Sequence, residues 1–142
     1  MARKKPVKRK TLIKKLDKIV GDYIKLRDSH RCVQCGSVDK PSWGHVFSRR
    51  SYSTRWDLEN GFCQCWSCNF KHSHDNYEYY KWFQNRFGPE RFESLRKKYI
   101  SSVKYTNPDL EDLYKEMVIK YKTLELSLIH ISRAHETRHD LV

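Results

Sequence analysis

Apolar residues recur at helical spacing near the start of the chain. Leu12, Leu16, Ile19, Tyr23 and Leu26 fall three or four apart and make one stripe. This predicts an amphipathic helix over residues 11–29, weakened at Gly21 by roughly 1 kcal/mol relative to alanine. The period then changes. W-G-H-V-F (43–47) is a short aromatic and β-branched run that predicts a strand, and a returning strand is predicted over 60–64. A helix should begin near Trp66. N-Y-E-Y-Y-K-W-F-Q-N-R-F (76–87) predicts another, with Tyr77, Tyr80, Phe83 and Phe87 as its apolar face and Gly88-Pro89 as its end. A further helix is predicted over 89–99. The last should start with Asn107 as N-cap, Pro108 at the first helical position and Asp109, Glu111 and Asp112 in the first turn. Its stripe is Leu110, Leu113, Met117, Tyr121 and Leu124. The closing run S-L-I-H-I-S-R-A-H-E-T-R-H-D-L-V breaks this pattern. It resembles translated sequencing-adapter read-through, so residues 126–142 are set aside as a non-native tail and His130, His135 and His139 are not counted as ligands.

The cysteines change the picture most. Cys32/Cys35 and Cys65/Cys68 form two Cys-x-x-Cys pairs, and Cys63 is left over. Each such turn presents two sulfurs to one ion, and two turns close a four-sulfur structural zinc site. The span between the pairs, residues 36–64, exceeds the usual zinc-ribbon spacing, so something extra is housed there. Cys63 is expected to be a small buried residue.

Composition adds a direction. Net charge is +12, and residues 1–15 hold eight Lys/Arg and no acid, leaving +4 for the rest. A disordered basic arm over residues 1–10 suits nucleic acid, because neutralised phosphates release counterions. The chain has no apolar run of about 18 residues, so no membrane span is expected. Lys14, Lys15 and Lys18 interrupt any signal-peptide core. A reducing cytosol follows, where cysteines favour metal over disulfide.

The residues between the pairs carry chemistry. Phosphodiester hydrolysis needs a base to activate water and a divalent cation to stabilise the phosphate and leaving oxygen. His45 suits the base, and Asn60 and Asn69 offer oxygens suited to Mg²⁺ or Mn²⁺. Arg49, Arg50 and Arg55 follow His45 on a polar loop and, with Lys71, are the expected DNA-contacting cations.

At these residues the sequence resembles the HNH nucleases. Over a longer stretch, Y-I-K-L-R-D (23–28), C-V-Q-C-G, G-H-V-F-S-R-R, T-R-W-D, N-G-F-C-Q-C-W-S-C-N and N-Y-E-Y look like the phage NinG (Rap) family of recombination endonucleases. The resemblance covers roughly residues 11–125. It implies an α+β fold: a zinc-stapled ββα-metal (HNH) module over 31–76, an N-terminal helix over 11–30 before it and a helical part over 77–125 after it. It implies His45 as general base, Asn60 as the brace of the hairpin and Asn69 as a ligand of the catalytic cation. It implies cleavage of branched DNA in the cytoplasm of a phage-infected bacterial host cell. One departure stands out: Gly44 occupies the position where HNH sites commonly carry an Asp ligand. His72, three residues past Asn69, is a substitute candidate, with a surface histidine as the plain alternative. The missing Asp keeps open a zinc-stabilised DNA-binding module without catalysis. An RNA-binding zinc protein fits the charge but gives His45 no role. Cutting a junction symmetrically would need two active sites, which a homodimer supplies.

Overall fold

The computed structural model describes residues 8–140, with side chains described through residue 133. Most of the expected basic arm, residues 1–7, lies outside the described residues, as do the side chains of the tail from residue 134 on. Among the described residues the fold is α+β: a two-stranded sheet with six helices around it. None of the helices is long and apolar enough to cross a membrane among the described residues.

Helix α1 (Arg9–Arg27) is the spine. Its buried residues are Leu12, Leu16, Val20, Gly21 and Ile24, with Ile13, Ile19 and Tyr23 half-buried. The stripe is thus wider than predicted and rotated onto Val20 and Ile24. The cause is that α1 packs on two partners at once, the last helix α6 (Asn107–Asp140) and the hairpin. Leu110 and Met117 of α6 close this first core, together with Trp56. The α6 N-cap is Thr106 rather than Asn107: Thr106 Oγ1 accepts from Asp109 N–H at 3.2 Å and Asp109 Oδ2 accepts from Thr106 N–H at 2.8 Å. This reciprocal pair is a capping box, which satisfies two backbone donors where Asn107 alone would satisfy one. Over residues 126–133 α6 leaves the core, and Leu126, Leu128, Ile129 and Ile131 are exposed.

Strands β1 (Ser42–His45) and β2 (Gly61–Gln64) pair antiparallel, with Trp43 opposite Cys63, Gly44 opposite Phe62 and His45 opposite Gly61. Both are shorter than the sequence pattern suggests. Gly61 is needed here because a β-carbon would run into the Trp43 indole, which lies against it. Arg27 at the end of α1 donates to the carbonyls of Leu58 (2.8 Å) and Gly61 (2.7 Å), and Asp28 accepts from Cys63 N–H at 2.8 Å. These bonds fix the hairpin on the spine. A short helix, α2 (Tyr52–Arg55), interrupts the loop between the strands. Helix α3 (Trp66–His74) follows β2 directly.

Helices α4 (Tyr77–Phe87) and α5 (Pro89–Ile100) cover the other side of the hairpin in a second core of Val46, Phe47, Phe62, Tyr79, Phe83 and Leu95. The buried face of α4 is Tyr79 and Phe83, whereas Tyr77 is 61% exposed. Tyr79 can be buried because its hydroxyl donates to the Gly44 carbonyl at 2.8 Å.

Candidate active site

The two Cys-x-x-Cys turns meet. The sulfurs of Cys32, Cys35, Cys65 and Cys68 all lie within 4.8 Å of one another, with Cys35 and Cys65 3.6 Å apart. A tetrahedral ion with bonds of about 2.3 Å requires sulfur separations of about 3.8 Å, so the four residues fit a structural metal ion such as zinc. Each turn is tied into the fold: Val33 N–H donates to Cys63 O at 2.9 Å, and the Cys65 sulfur accepts from Cys68 N–H at 3.5 Å, capping α3. Burial and the neighbouring sulfurs push the Cys68 thiol far up. A bound dication reverses that by stabilising thiolates. Cys63 is fully buried, outside this cluster, and its thiol is pushed up to about 11 by burial.

Beside the metal centre lies an open cavity of about 460 Å³, lined among others by Asp17, His45, Arg49, Asn69, His72 and Ser73. His45 enters it from the end of β1. Its Nε2 donates to the carbonyl oxygen of Arg55 at 3.1 Å and its ring packs 4.0 Å from that of Trp43. A carbonyl only accepts, so the proton sits on Nε2 and Nδ1 keeps its lone pair. Burial lowers the His45 pKa to about 4, and the Arg55 and Arg49 charges add to this. The ring is therefore neutral near pH 7.

Asn60 does not line this cavity. It is fully buried and ties the loop after β1 down: Oδ1 accepts from Phe47 N–H at 2.8 Å, while Nδ2 donates to the carbonyls of Phe47 and Thr54, both at 3.0 Å. It fixes the backbone around His45 and the short helix carrying Arg55. Asn69 stands on the inner side of α3 with Nδ2 donating to Ser42 Oγ at 3.3 Å. His72, one turn on, donates from Nε2 to the His45 carbonyl at 2.8 Å. Its Nδ1 is buried without a hydrogen-bond partner, and burial lowers its pKa. His72 is thus half-buried under α3, not a surface histidine.

The expected cations separate. Arg49 lines the cavity, and Arg49 and Arg50 are exposed. Lys71 is exposed on the far side of α3 and borders a separate small recess beside Cys68. Arg55, placed by its sequence context among the phosphate contacts, turns inward instead. Its Nε and NH2 meet the two Asp17 oxygens at 3.0 and 2.6 Å, and Asp17 also accepts from Trp56 Nε1 at 2.8 Å. Burial opposes ionisation of Asp17, yet these bonds outweigh it and hold the carboxyl below its ordinary range.

Asp17 was not legible as a site residue. An acid beside an apolar stripe has the same sequence signature whether it is solvated or clamps an arginine. Gly44 is also explained here. A β-carbon at this position would collide with the side-chain amide of Gln64, which is fully buried and donates to Gln34 Oε1. Among the described residues the four-cysteine cluster is the group of His, Cys, Asp and Glu placed to hold a metal ion. At the cavity, Asn69 and His72 are the residues that would hold a second cation, His72 through its unpartnered Nδ1.

A family model described as Bacteriophage Lambda NinG protein matches residues 1–126 of the chain. The match ends where α6 leaves the core. No curated protein and no solved structure matches.

Proposed function

The chain belongs to the bacteriophage lambda NinG family, and on that premise we propose that it is a metal-dependent DNA endonuclease of phage recombination that hydrolyses phosphodiester bonds in branched DNA. The observation that carries this reading is the state of His45. It sits at the wall of an open polar cavity, neutral, with Nε2 held by a carbonyl and Nδ1 left as an acceptor. A neutral ring with a free lone pair can accept a proton from water, and a pKa of about 4 makes it a weaker base than a free histidine.

The residues around it take complementary roles. His45 accepts the proton of the attacking water. Asn60 and the Asp17–Arg55 pair hold the ring through the backbone that it bonds. Arg49 and Arg50 grip phosphate at the cavity rim, the exposed guanidinium forks suiting its oxygens. Asn69 and His72 are the residues that would hold a Mg²⁺ or Mn²⁺ ion, which would supply charge neutralisation for the phosphate and the leaving oxygen. The four-cysteine zinc is structural and fixes the start of α3. The protein works in the cytoplasm of the infected bacterial cell, and a homodimer would bring two cavities to one junction.

One observation favours a second reading, a DNA-binding module without catalysis. Asp17 is the cavity's acid, and Arg55 already engages both its oxygens, while Gly44 offers none. Incubating linear, nicked, flapped and four-way DNA with the purified protein, with and without Mg²⁺, separates the two. The endonuclease reading expects metal-dependent cutting of the branched forms. Binding of all forms with no cutting in either Mg²⁺ or Mn²⁺ would leave the binding module.

A further inference from the structure

Helix α3 buries none of its residues fully, and its outer side is unusual. Trp66 and Phe70 are 59% and 51% exposed, yet their rings stack on each other, 5.2 Å apart and 20° from parallel. His74 continues the series with its ring 4.5 Å from that of Phe70. Its Nδ1 donates to the Phe70 carbonyl at 2.9 Å, which fixes the third ring. Spacing by four residues puts these side chains above one another on one face of a helix. The first ring is also anchored, because Trp66 lies between Cys65 and Cys68 in the second metal turn. The three rings thus form one exposed aromatic strip along α3.

We propose that the Trp66–Phe70–His74 stack is a platform for an unpaired base of single-stranded DNA beside the scissile phosphate. The proposal rests on the endonuclease reading for the word scissile, and it names the part of the substrate that reading leaves open. Three features select this occupant. Base–aromatic stacking is indifferent to sequence, as every base has a π-face, and it rewards a base that has left its duplex. The stack adjoins the cavity, since Asn69 precedes Phe70, Ser73 precedes His74, and both Asn69 and Ser73 line the cavity. The charge is right: α3 carries Lys71 and no acid, and the exposed Arg49 lines the same cavity as Asn69 and Ser73. Asp75, just beyond, is committed to accepting from Tyr77 N–H at 3.0 Å. The sugar–phosphate chain of the stacked nucleotide would run across the cavity mouth, presenting its phosphate to His45.

The test reads binding and needs no cleavage. Dye-labelled single-stranded, flapped and blunt duplex oligonucleotides are titrated with zinc-loaded protein in buffer without Mg²⁺, and anisotropy is followed. Trp66→Ala/Phe70→Ala should weaken single-stranded and flapped binding about tenfold or more, with blunt duplex binding within about twofold of wild type. Trp66→Tyr/Phe70→Tyr should retain the preference. Phe70→Ala alone, outside the metal turn, should show the same selectivity, so a loss of zinc in the double variant does not confuse the result. Single-stranded DNA carrying 5-bromodeoxyuridine should crosslink to Trp66. Equal affinity of wild type and Phe70→Ala for single-stranded DNA would overturn the proposal. So would an equal loss on blunt duplex, or dissociation of a dimer by the Phe70 substitution, which would assign the stack to a second copy of the chain. If the stacking effect is seen but no DNA is cut, the endonuclease reading alone fails. If branched DNA is cut normally and the effect is missing, this proposal alone fails.

Discussion

His45 and Arg55 are joined by one hydrogen bond, from the imidazole Nε2 to the Arg55 backbone carbonyl at 3.1 Å. The backbone of Arg55 is in turn held by its own side chain, which meets both oxygens of Asp17 on α1. The orientation of a ring on β1 thus depends on a carboxylate carried by α1. Removing Asp17 leaves a guanidinium with 13% of its side chain exposed and the Trp56 indole N–H without their acceptor. Asp17→Ala should lower unfolding free energy by roughly 1–3 kcal/mol in denaturant titrations. It should also lower kcat for DNA cleavage with little change in KM, since Arg55 already engages both Asp17 oxygens. An unchanged kcat would detach Asp17 from the base.

The His45 pKa makes a prediction about pH. Burial holds it at about 4, against 6.5 for the free side chain. Between these values the unfolded chain binds a proton that the folded one does not, so this ring favours folding above pH 6.5 and opposes it as pH falls toward 4. The full difference is roughly 3 kcal/mol at about 1.4 kcal/mol per unit. Acid also protonates metal-bound thiolates, so the measurement is a comparison. Wild type should lose more stability than His45→Gln between pH 7 and 4, the two sharing one cysteine site. Parallel curves would mean that the ring is solvated.

The metal centre separates the five cysteines. Protein purified without added metal should hold about one zinc per chain, by the four-ligand rule for structural sites. Cys65→Ser should lose the ion and destabilise α3, whose first turn the Cys65 sulfur caps. Cys63→Ser should keep it. Loss of zinc in the Cys63 variant would mean that the sulfur cluster has been assigned wrongly.

Gly44 yields a less intuitive expectation. Restoring the acid usual at this position in HNH sites should not improve the protein. Gly44→Asp pushes a side chain into the Gln64 amide, and overpacking of this kind costs typically about 1–3 kcal/mol. Thermal melts should show Gly44→Asp destabilised and Gly44→Asp/Gln64→Ala recovered, the second having room for the carboxylate. A fully stable single variant would contradict the account of why this position is glycine.

The parts that follow from local chemistry were legible in the sequence. The zinc turns, the hairpin, α3 starting at Trp66, and the Gly88-Pro89 break come from spacing and backbone preference, which the chain carries in short stretches. What depends on partners distant in sequence was not. Arg55 has the same neighbours in sequence whether it grips phosphate or Asp17, thirty-eight residues away. Tyr77 and Tyr79 are both aromatic, and it is Tyr79 that packs in the second core with its hydroxyl on the Gly44 carbonyl. The α6 cap moved by one residue because Thr106 and Asp109 can serve each other, whereas Asn107 has no such partner.

His45 is the base of the proposed reaction, and removing it is the most direct test. Losing a positioned acid–base group typically lowers the rate by about 10²–10⁴. With four-way or flapped DNA and Mg²⁺, purified His45→Ala should show no detectable cleavage while zinc content, circular dichroism and DNA affinity stay close to wild type. A His45→Ala protein that cuts branched DNA at the wild-type rate would contradict the mechanism.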